Sequence, residues 1–198
     1  DEELLLDDPY TGGFRNRFWY FTGLLEDGTT FTVNLFRWRY GALGSPGLLV
    51  LVREPDRPAL VLEERIEERG FQESRERLHV RFGESEVSGS RYGASLRLRL
   101  PEFSCDLEVR NLLDPWRPGD GYLLRRGPEA YTRYTVSSPL AAVSGRLRIG
   151  DRENAAQGWC YAERGVVNLP MRRLNPEEFS FRVFGPGATP REGPWMIS

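Results

Sequence analysis

The chain has 198 residues, which suits one domain of ordinary size with a substantial core. Its formal net charge is −2 and its acidic and basic residues are interspersed, which argues against a nucleic-acid surface and against a polybasic membrane segment. No apolar run approaches the about 20 residues of a membrane span. Because the acidic start DEELLLDD is also unlike a signal peptide, we expect a cytoplasmic protein.

The residue types exclude several kinds of chemistry. All 27 basic residues are arginine, so neither a lysine Schiff base nor a P-loop lysine is available. The single histidine, His79, cannot build a catalytic triad or a histidine-rich metal site. We therefore expect no metal and no cofactor. The two cysteines, Cys105 and Cys160, lie among strand residues and are expected to be buried thiols.

Short β-type runs separated by Gly, Pro, Asp and Asn recur along the chain, and helical periodicity is almost absent. Turn signals at 26–28 and 150–151 favour antiparallel hairpins. An all-β protein of about ten antiparallel strands hides its edges best by closing into an up-and-down barrel. The predicted strands are 18–25, 30–40, 48–52, 59–66, 75–82, 95–100, 104–111, 130–137, 143–150, 158–164 and 179–184.

The ends of the chain and one internal segment read as irregular. We expect an N-terminal arm or short capping helix over 1–16, the barrel over 17–185, and a tail of linker composition over 186–198. The tail is either disordered or a link to a second domain. Residues 112–128 are rich in Pro and Gly and predict a long loop, in which Trp116 and Tyr122 either close on a ligand or pin the loop to the barrel.

Two predicted strands combine aromatic and polar side chains on a single face, because residues two apart in a strand share a face. Such a mixture is typical of a wall that looks into a ligand cavity. In the strand TTFTVNLFRWRY this face carries Thr32, Asn34, Phe36 and Trp38. In the strand GWCYAERG it carries Trp159, Tyr161 and Glu163.

Glu163 and Tyr161 are the candidate catalytic residues. A carboxyl group removed from water beside aromatic rings has its charged form disfavoured, so Glu163 would act as an acid near neutral pH. The alternative is an ordinary ion pair with Arg164 or another arginine. Tyr161 would donate a hydrogen bond to a substrate carbonyl, unless it is simply a structural tyrosine. The candidate substrate-binding residues are Trp19, Asn34, Phe36, Trp38, Trp116, Tyr122, Tyr134 and Trp159.

Three segments resemble the hydroxyneurosporene synthase family, the AttH- and CrtC-like carotenoid hydratases and their relatives. The segments RFWYFTGLLEDGTTFTVNLFRWRYG, FSCDLEVRNLLDPWRPGDGYL and PLAAVSGRLRIG with GWCYAERG are similar to the opening, middle and end of that family's first lipocalin-like domain. Members commonly carry two such domains, whereas this chain has room for one. The family's second Gly, Asp, His and Trp in the last motif are replaced here by Cys160, Glu163, Arg164 and Val166.

The resemblance implies an antiparallel, lipocalin-like β-barrel with an internal apolar cavity. It also implies an activity, because the family includes Diels–Alder-type cyclases as well as hydratases. The acid at Glu163 has no neighbouring imidazole, which favours a cofactor-independent cyclase or isomerase of a hydrophobic polyene or polyketide in natural-product biosynthesis. The alternatives are a carotenoid-type hydratase and a non-catalytic lipid or pigment carrier. The expected partner is a hydrophobic small molecule, and a homodimer is left open.

Overall fold

The computed structural model describes residues 13–74, 77–126, 130–168, 183–185 and 195–197. Within these residues the one helical element is a 3-10 turn at Glu68–Gly70, and no helix is long and apolar enough to cross a membrane. The prediction of an all-β protein is confirmed. The strands are β1 Phe14–Leu25, β2 Thr30–Tyr40, β3 Leu43–Arg53, β4 Leu60–Arg65, β5 Phe71–Glu73, β6 Leu78–Phe82, β7 Ser85–Ser90, β8 Gly93–Arg99, β9 Phe103–Asn111, β10 Tyr122–Arg125, β11 Tyr131–Ile149, β12 Arg152–Val167, β13 Val183–Gly185 and β14 Trp195–Ile197.

Twelve of the strands form one antiparallel sheet in the order β4-β3-β2-β1-β12-β11-β9-β8-β7-β6-β5, and β10 pairs with β11. Strands β13 and β14 form a separate pair, and β14 contacts β11. Both predicted hairpin turns are present, with Gly28 at φ 85° after β1 and Gly150 at φ 59° after β11. A left-handed conformation at these positions lets the chain reverse tightly, which glycine tolerates without strain.

The sheet curls because one of its faces is apolar from end to end. Along β2, Phe31, Val33 and Leu35 are at most 1% exposed. They belong to a single buried cluster of apolar side chains. The cluster includes residues of β1, β2, β3, β5, β6, β7, β8, β9, β11 and β12. At the far edge of the sheet, Phe71 of β5 packs against Trp19 of β1 with ring centroids 6.0 Å apart. We call the side that carries this cluster the inner face and the opposite side the outer face. The predicted antiparallel architecture is confirmed.

Strand β11 corrects the prediction of two strands at 130–137 and 143–150. It is continuous, but its register against β12 shifts between Val136 and Ser138 and again between Ser138 and Ala141. Pro139 lies in this stretch, and proline lacks the N–H that a regular ladder would use. The apparent loop in the sequence is therefore a pair of bulges within one strand.

Other boundaries differ from the prediction where the local pattern is short. Strand β7 was not predicted, and β10 lies within the expected loop 112–128. The predicted arm 1–16 falls mostly outside the described residues, and β1 already begins at Phe14. Of the predicted strand 179–184, residues 179–182 also lie outside the described part. Within the predicted tail 186–198, Trp195–Ile197 form β14.

Candidate functional site

The register of β12 decides which of its side chains face the core. Cys160 and Ala162 belong to the inner cluster, so Tyr161 and Glu163 lie on the outer face. Strand β12 runs between β1 and β11, and Glu163 is paired with Tyr20 on one side and with Val136 on the other. The site is thus built on three adjacent strands of the central sheet.

Tyr134, Tyr161 and Glu163 form a hydrogen-bonded group, the tyrosine–glutamate cluster. The Tyr134 and Tyr161 hydroxyls both lie within hydrogen-bond reach of Glu163 Oε2, and the two hydroxyl oxygens are 2.6 Å apart. Tyr161 is 1% exposed, whereas Tyr134 and Glu163 are half-buried. By accepting from both phenols, the Glu163 carboxylate holds the two hydroxyls close together. They lie beside the accessible part of the cluster, which Tyr134 and Glu163 form.

The cluster keeps at least one phenol protonated. Burial, and next the neighbouring Glu163 carboxylate, raise the pKa of Tyr134 far above its ordinary value. Tyr134 is therefore a hydrogen-bond donor throughout the neutral pH range. Its hydroxyl can serve Glu163 in the free protein and a carbonyl oxygen in a complex.

Side chains of β1 and β2 extend the outer face beside the cluster. The Phe18 ring lies over Gly165, where an added Cβ would come within 2.5 Å of the ring, and Gly165 is the cross-strand partner of Tyr134. Tyr20 pairs with both Glu163 and Asn34, and the buried Oδ1 of Asn34 has no hydrogen-bond partner among the described residues. Phe18 and Tyr20 were missed from the sequence. Their signal was available in RFWYF, where they alternate with Trp19 and Phe21.

The predicted cavity wall on β2 lies on the outside of the curl. Asn34, Phe36 and Trp38 are half-buried on the outer face, because Phe31 and its apolar neighbours on alternate positions fill the inside. Of the three, Asn34 is nearest to Glu163 in register. The Phe36 ring is covered by the Arg65 guanidinium, 4.5 Å from its centroid, and so packs toward β3 and β4.

The other predicted binding residues divide between the two faces. Trp159 shares the outer face with Tyr161 and is half-buried. Trp19 lies on the inner face, 6% exposed, and cannot share a site with Glu163, because odd and even positions of β1 point to opposite sides.

The segment 112–128 is attached to the sheet. Trp116 and Val136 exchange two backbone hydrogen bonds of 2.9 and 2.7 Å, while the Trp116 side chain remains 56% exposed. The Tyr122 ring meets Tyr131 edge-on, with centroids 5.5 Å apart. The ring contact favours the interpretation in which Tyr122 pins the loop, whereas Trp116 attaches it only through its backbone.

The ion pair between Glu163 and Arg164 is not formed. The two residues are adjacent and therefore project to opposite faces, and Arg164 is 7% exposed on the inner face. Glu163 Oε2 accepts hydrogen bonds from the Tyr134 and Tyr161 hydroxyls. The buried thiols are confirmed: Cys105 and Cys160 are both free, and burial raises the pKa of each to about 12.

Among the described residues no group of three or more His, Cys, Asp or Glu side chains could hold a metal ion. A depression of about 170 Å³ lies at one end of the curl, lined in part by Val52, Leu60 and Ile149, with a Glu54–Arg152 ion pair of 2.5 Å beside it. Sites for drug-sized ligands usually measure about 300–1,000 Å³. The candidate site is the tyrosine–glutamate cluster, because its three polar groups converge at one point.

Comparison with solved structures defines the class to which this fold belongs. A protein of Nitrosomonas europaea provisionally assigned as AttH aligns with a TM-score of 0.66 and 19% identity, over 84% of this chain and 57% of that one. CghA in complex with Sch210972 aligns with a TM-score of 0.54 and 16% identity, over 85% and 55% of the two chains. Kievitone hydratase from Nectria haematococca aligns with a TM-score of 0.57 and 11% identity, over 80% and 48%.

The chain therefore has the lipocalin-like fold of these proteins, as its resemblance to the hydroxyneurosporene synthase family implies. It spans about half of the length of each of them. No family model and no curated protein sequence matches it. At such low identities the likeness establishes a common fold, and the reaction has to be argued from this chain's own residues.

Proposed function

We propose that this chain is the lipocalin-like domain of a cofactor-independent enzyme that cyclises or isomerises a hydrophobic polyene or polyketide. The observation that carries the proposal is the tyrosine–glutamate cluster, in which two phenols and one carboxylate converge on the outer face. Half-buried aromatic side chains, Phe18 and Trp159, share this face. An apolar surface with a few convergent polar groups is the usual composition of a small-molecule site.

In the proposed mechanism a tyrosine hydroxyl polarises the substrate. When a conjugated carbonyl approaches, the Tyr134 hydroxyl turns from Glu163 to the carbonyl oxygen, and the electron-poor double bond becomes a better partner for a diene in the same molecule. Glu163 keeps Tyr161 in place and orients the pair. The aromatic surroundings hold the chain folded in a reactive conformation, which supplies much of the barrier reduction in a reaction within one molecule. The product is an isomer of the substrate.

Hydration of an isolated double bond is the second candidate, favoured by the likeness to kievitone hydratase. It would require Glu163 to give a proton to one carbon, water to add to the resulting cation, and the proton of that water to return to Glu163. The hydrogen bonds argue against this order of events. Glu163 Oε2 accepts from two hydroxyls, so it would have to give up these hydrogen bonds before it could serve an alkene carbon.

Product mass separates these reactions. Purified protein is incubated with a linear C20 polyene that carries an α,β-unsaturated carbonyl, and products are analysed by chromatography and mass spectrometry. We expect a product isomeric with the substrate. A product heavier by one water would replace the proposal with the hydratase, and an unaltered but protein-bound polyene would replace it with a carrier.

Two substitutions test the roles within the cluster, with the exposed Tyr92→Phe as the matched control. Removing a single oriented hydrogen-bond donor from an active site commonly lowers kcat by about 10²- to 10³-fold, so Tyr134→Phe should lose most turnover. Glu163→Gln keeps a hydrogen-bonding side chain and should retain much of the cyclisation. Full activity in Tyr134→Phe would contradict the proposed role of the cluster.

A further inference from the structure

The inner face carries a second polar group at one end of the curl. Arg17 pairs in register with Arg37 on one side and with Val166 on the other, and Val166 pairs with Arg133. Two residues further along each strand, Arg164 lies between Trp19 and Thr135. We call these side chains the inner arginine cluster: Arg17, Arg37, Arg133 and Arg164.

Among the described residues, two members of this cluster have acidic partners. Glu73 of β5 forms an ion pair with Arg17 and lies 3.6 Å from Arg37, and Glu68 binds Arg37 as well. Within the part of the chain that the structure describes, Nε and Nη2 of Arg164 are buried and have no hydrogen-bond partner. The buried Oγ1 of Thr135, directly across from Arg164, also has none.

An unpartnered buried guanidinium is energetically unfavourable unless an anion reaches it, because its charge has lost water and gained no acceptor. Burial, and next the charge of Arg17, lower the pKa of Arg164 to about 10. That value is still far above neutral, so Arg164 remains a cation. It thus offers two parallel N–H donors beside a hydroxyl.

We propose that Arg164 and Thr135 bind the carboxylate of a hydrophobic acid at the inner end of the curl. The Nε and Nη2 edge of a guanidinium matches the two oxygens of a carboxylate, and Thr135 supplies a further donor. The adjacent Trp19, 6% exposed, and Phe71, 8% exposed, favour a ligand with an apolar body. A singly charged, planar group is also easier to remove from water than a doubly charged phosphate.

This site lies on the opposite face of β12 from Glu163, so it is separate from the proposed function. It adds a binding site for an acid to the outer-face cluster. Glu163 and Arg164 are adjacent in β12 but project to opposite faces, so a substitution at one site leaves the side chains of the other site in place.

The test compares cis-parinaric acid, a fluorescent polyene fatty acid, with its methyl ester. Fluorescence titration gives the Kd of both ligands for the wild type, Arg164→Met, Arg164→Lys and Thr135→Val. Arg97→Met, on the exposed face of β8, is the matched control. Circular dichroism confirms that each variant is folded.

We expect the wild type to bind the acid at least about tenfold more tightly than the ester, since hydrogen bonds to charged groups are worth that much or more. Arg164→Met should bind the acid as weakly as the ester, Arg164→Lys should keep part of the preference, and Arg97→Met should keep all of it. Equal affinities of the wild type for acid and ester, or an undiminished preference in Arg164→Met, would overturn the proposal. If Arg164→Met fails to fold, the wild-type comparison and a reduced preference in Thr135→Val decide the matter.

Discussion

Replacing Tyr161 by phenylalanine tests the energetics of the tyrosine–glutamate cluster. The substitution removes one hydroxyl from a side chain that is 1% exposed and leaves the ring in place. That hydroxyl lies 2.6 Å from the Tyr134 hydroxyl and also bonds Glu163. A hydrogen bond to a charged group contributes about 1.5–3 kcal/mol, and Tyr134 still satisfies Glu163 in the variant, so we expect a loss of about 2 kcal/mol.

Urea unfolding at pH 7, followed by circular dichroism, measures this loss. With a slope of about 2 kcal/mol per molar urea, the midpoint should fall by about 1 M. Tyr92→Phe, at a position 74% exposed, serves as the control and should change stability by less than about 0.5 kcal/mol. In a double-mutant cycle with Glu163→Gln, the two losses should not add. A midpoint within about 0.2 M of the wild type, or fully additive losses, would refute the hydrogen-bonded arrangement.

Three further outcomes follow from burial. The thiols of Cys105 and Cys160, with pKa values raised to about 12, should react with a thiol reagent at pH 8 only after unfolding; fast reaction of the native protein would show that they are accessible. Because the pKa of Tyr134 is raised in the folded state, above about pH 10 the unfolded state releases a proton that the folded state keeps. The urea midpoint of unfolding should therefore decrease as the pH rises above about 10, and it should decrease less in Tyr134→Phe. Gly165→Ala should lower the thermal midpoint, since its Cβ would collide with Phe18; an unchanged midpoint would mean that the ring moves freely.

Much of the fold could be predicted because alternation along single strands is a local signal. Leu96, Leu98 and Leu100 are buried as their spacing with intervening arginines indicates. Tight turns at Gly28 and Gly150 were recognisable for the same reason, since the conformation is fixed by residues a few positions apart.

The choice of inner and outer face could not be predicted where both sides of a strand carry aromatic residues. In β1 and β2 either set of alternate residues could have formed the core, and the decision depends on what the neighbouring strands offer. Tyr134 and Tyr161 meet because β11 and β12 pair in one particular register, which no local pattern specifies. That Arg164 forms no ion pair with Glu163 is likewise a property of the assembled sheet. The two residues are adjacent in the sequence, which suggests an ion pair, but in the strand they project to opposite faces.

The two bulges of β11 have a consequence for insertions and deletions. From Val136 to Ala141 the strand advances five residues, while its partner advances three, from Glu163 to Cys160, so two residues are extra. Because two is even, the side chains before and after the bulges keep the same alternation. Deleting both extra residues would leave every side chain of β11 on its present face. Deleting only one would move the side chains on one side of Pro139 to the opposite face and place Tyr134 in the core. Homologues should therefore differ in length here by two residues or by none.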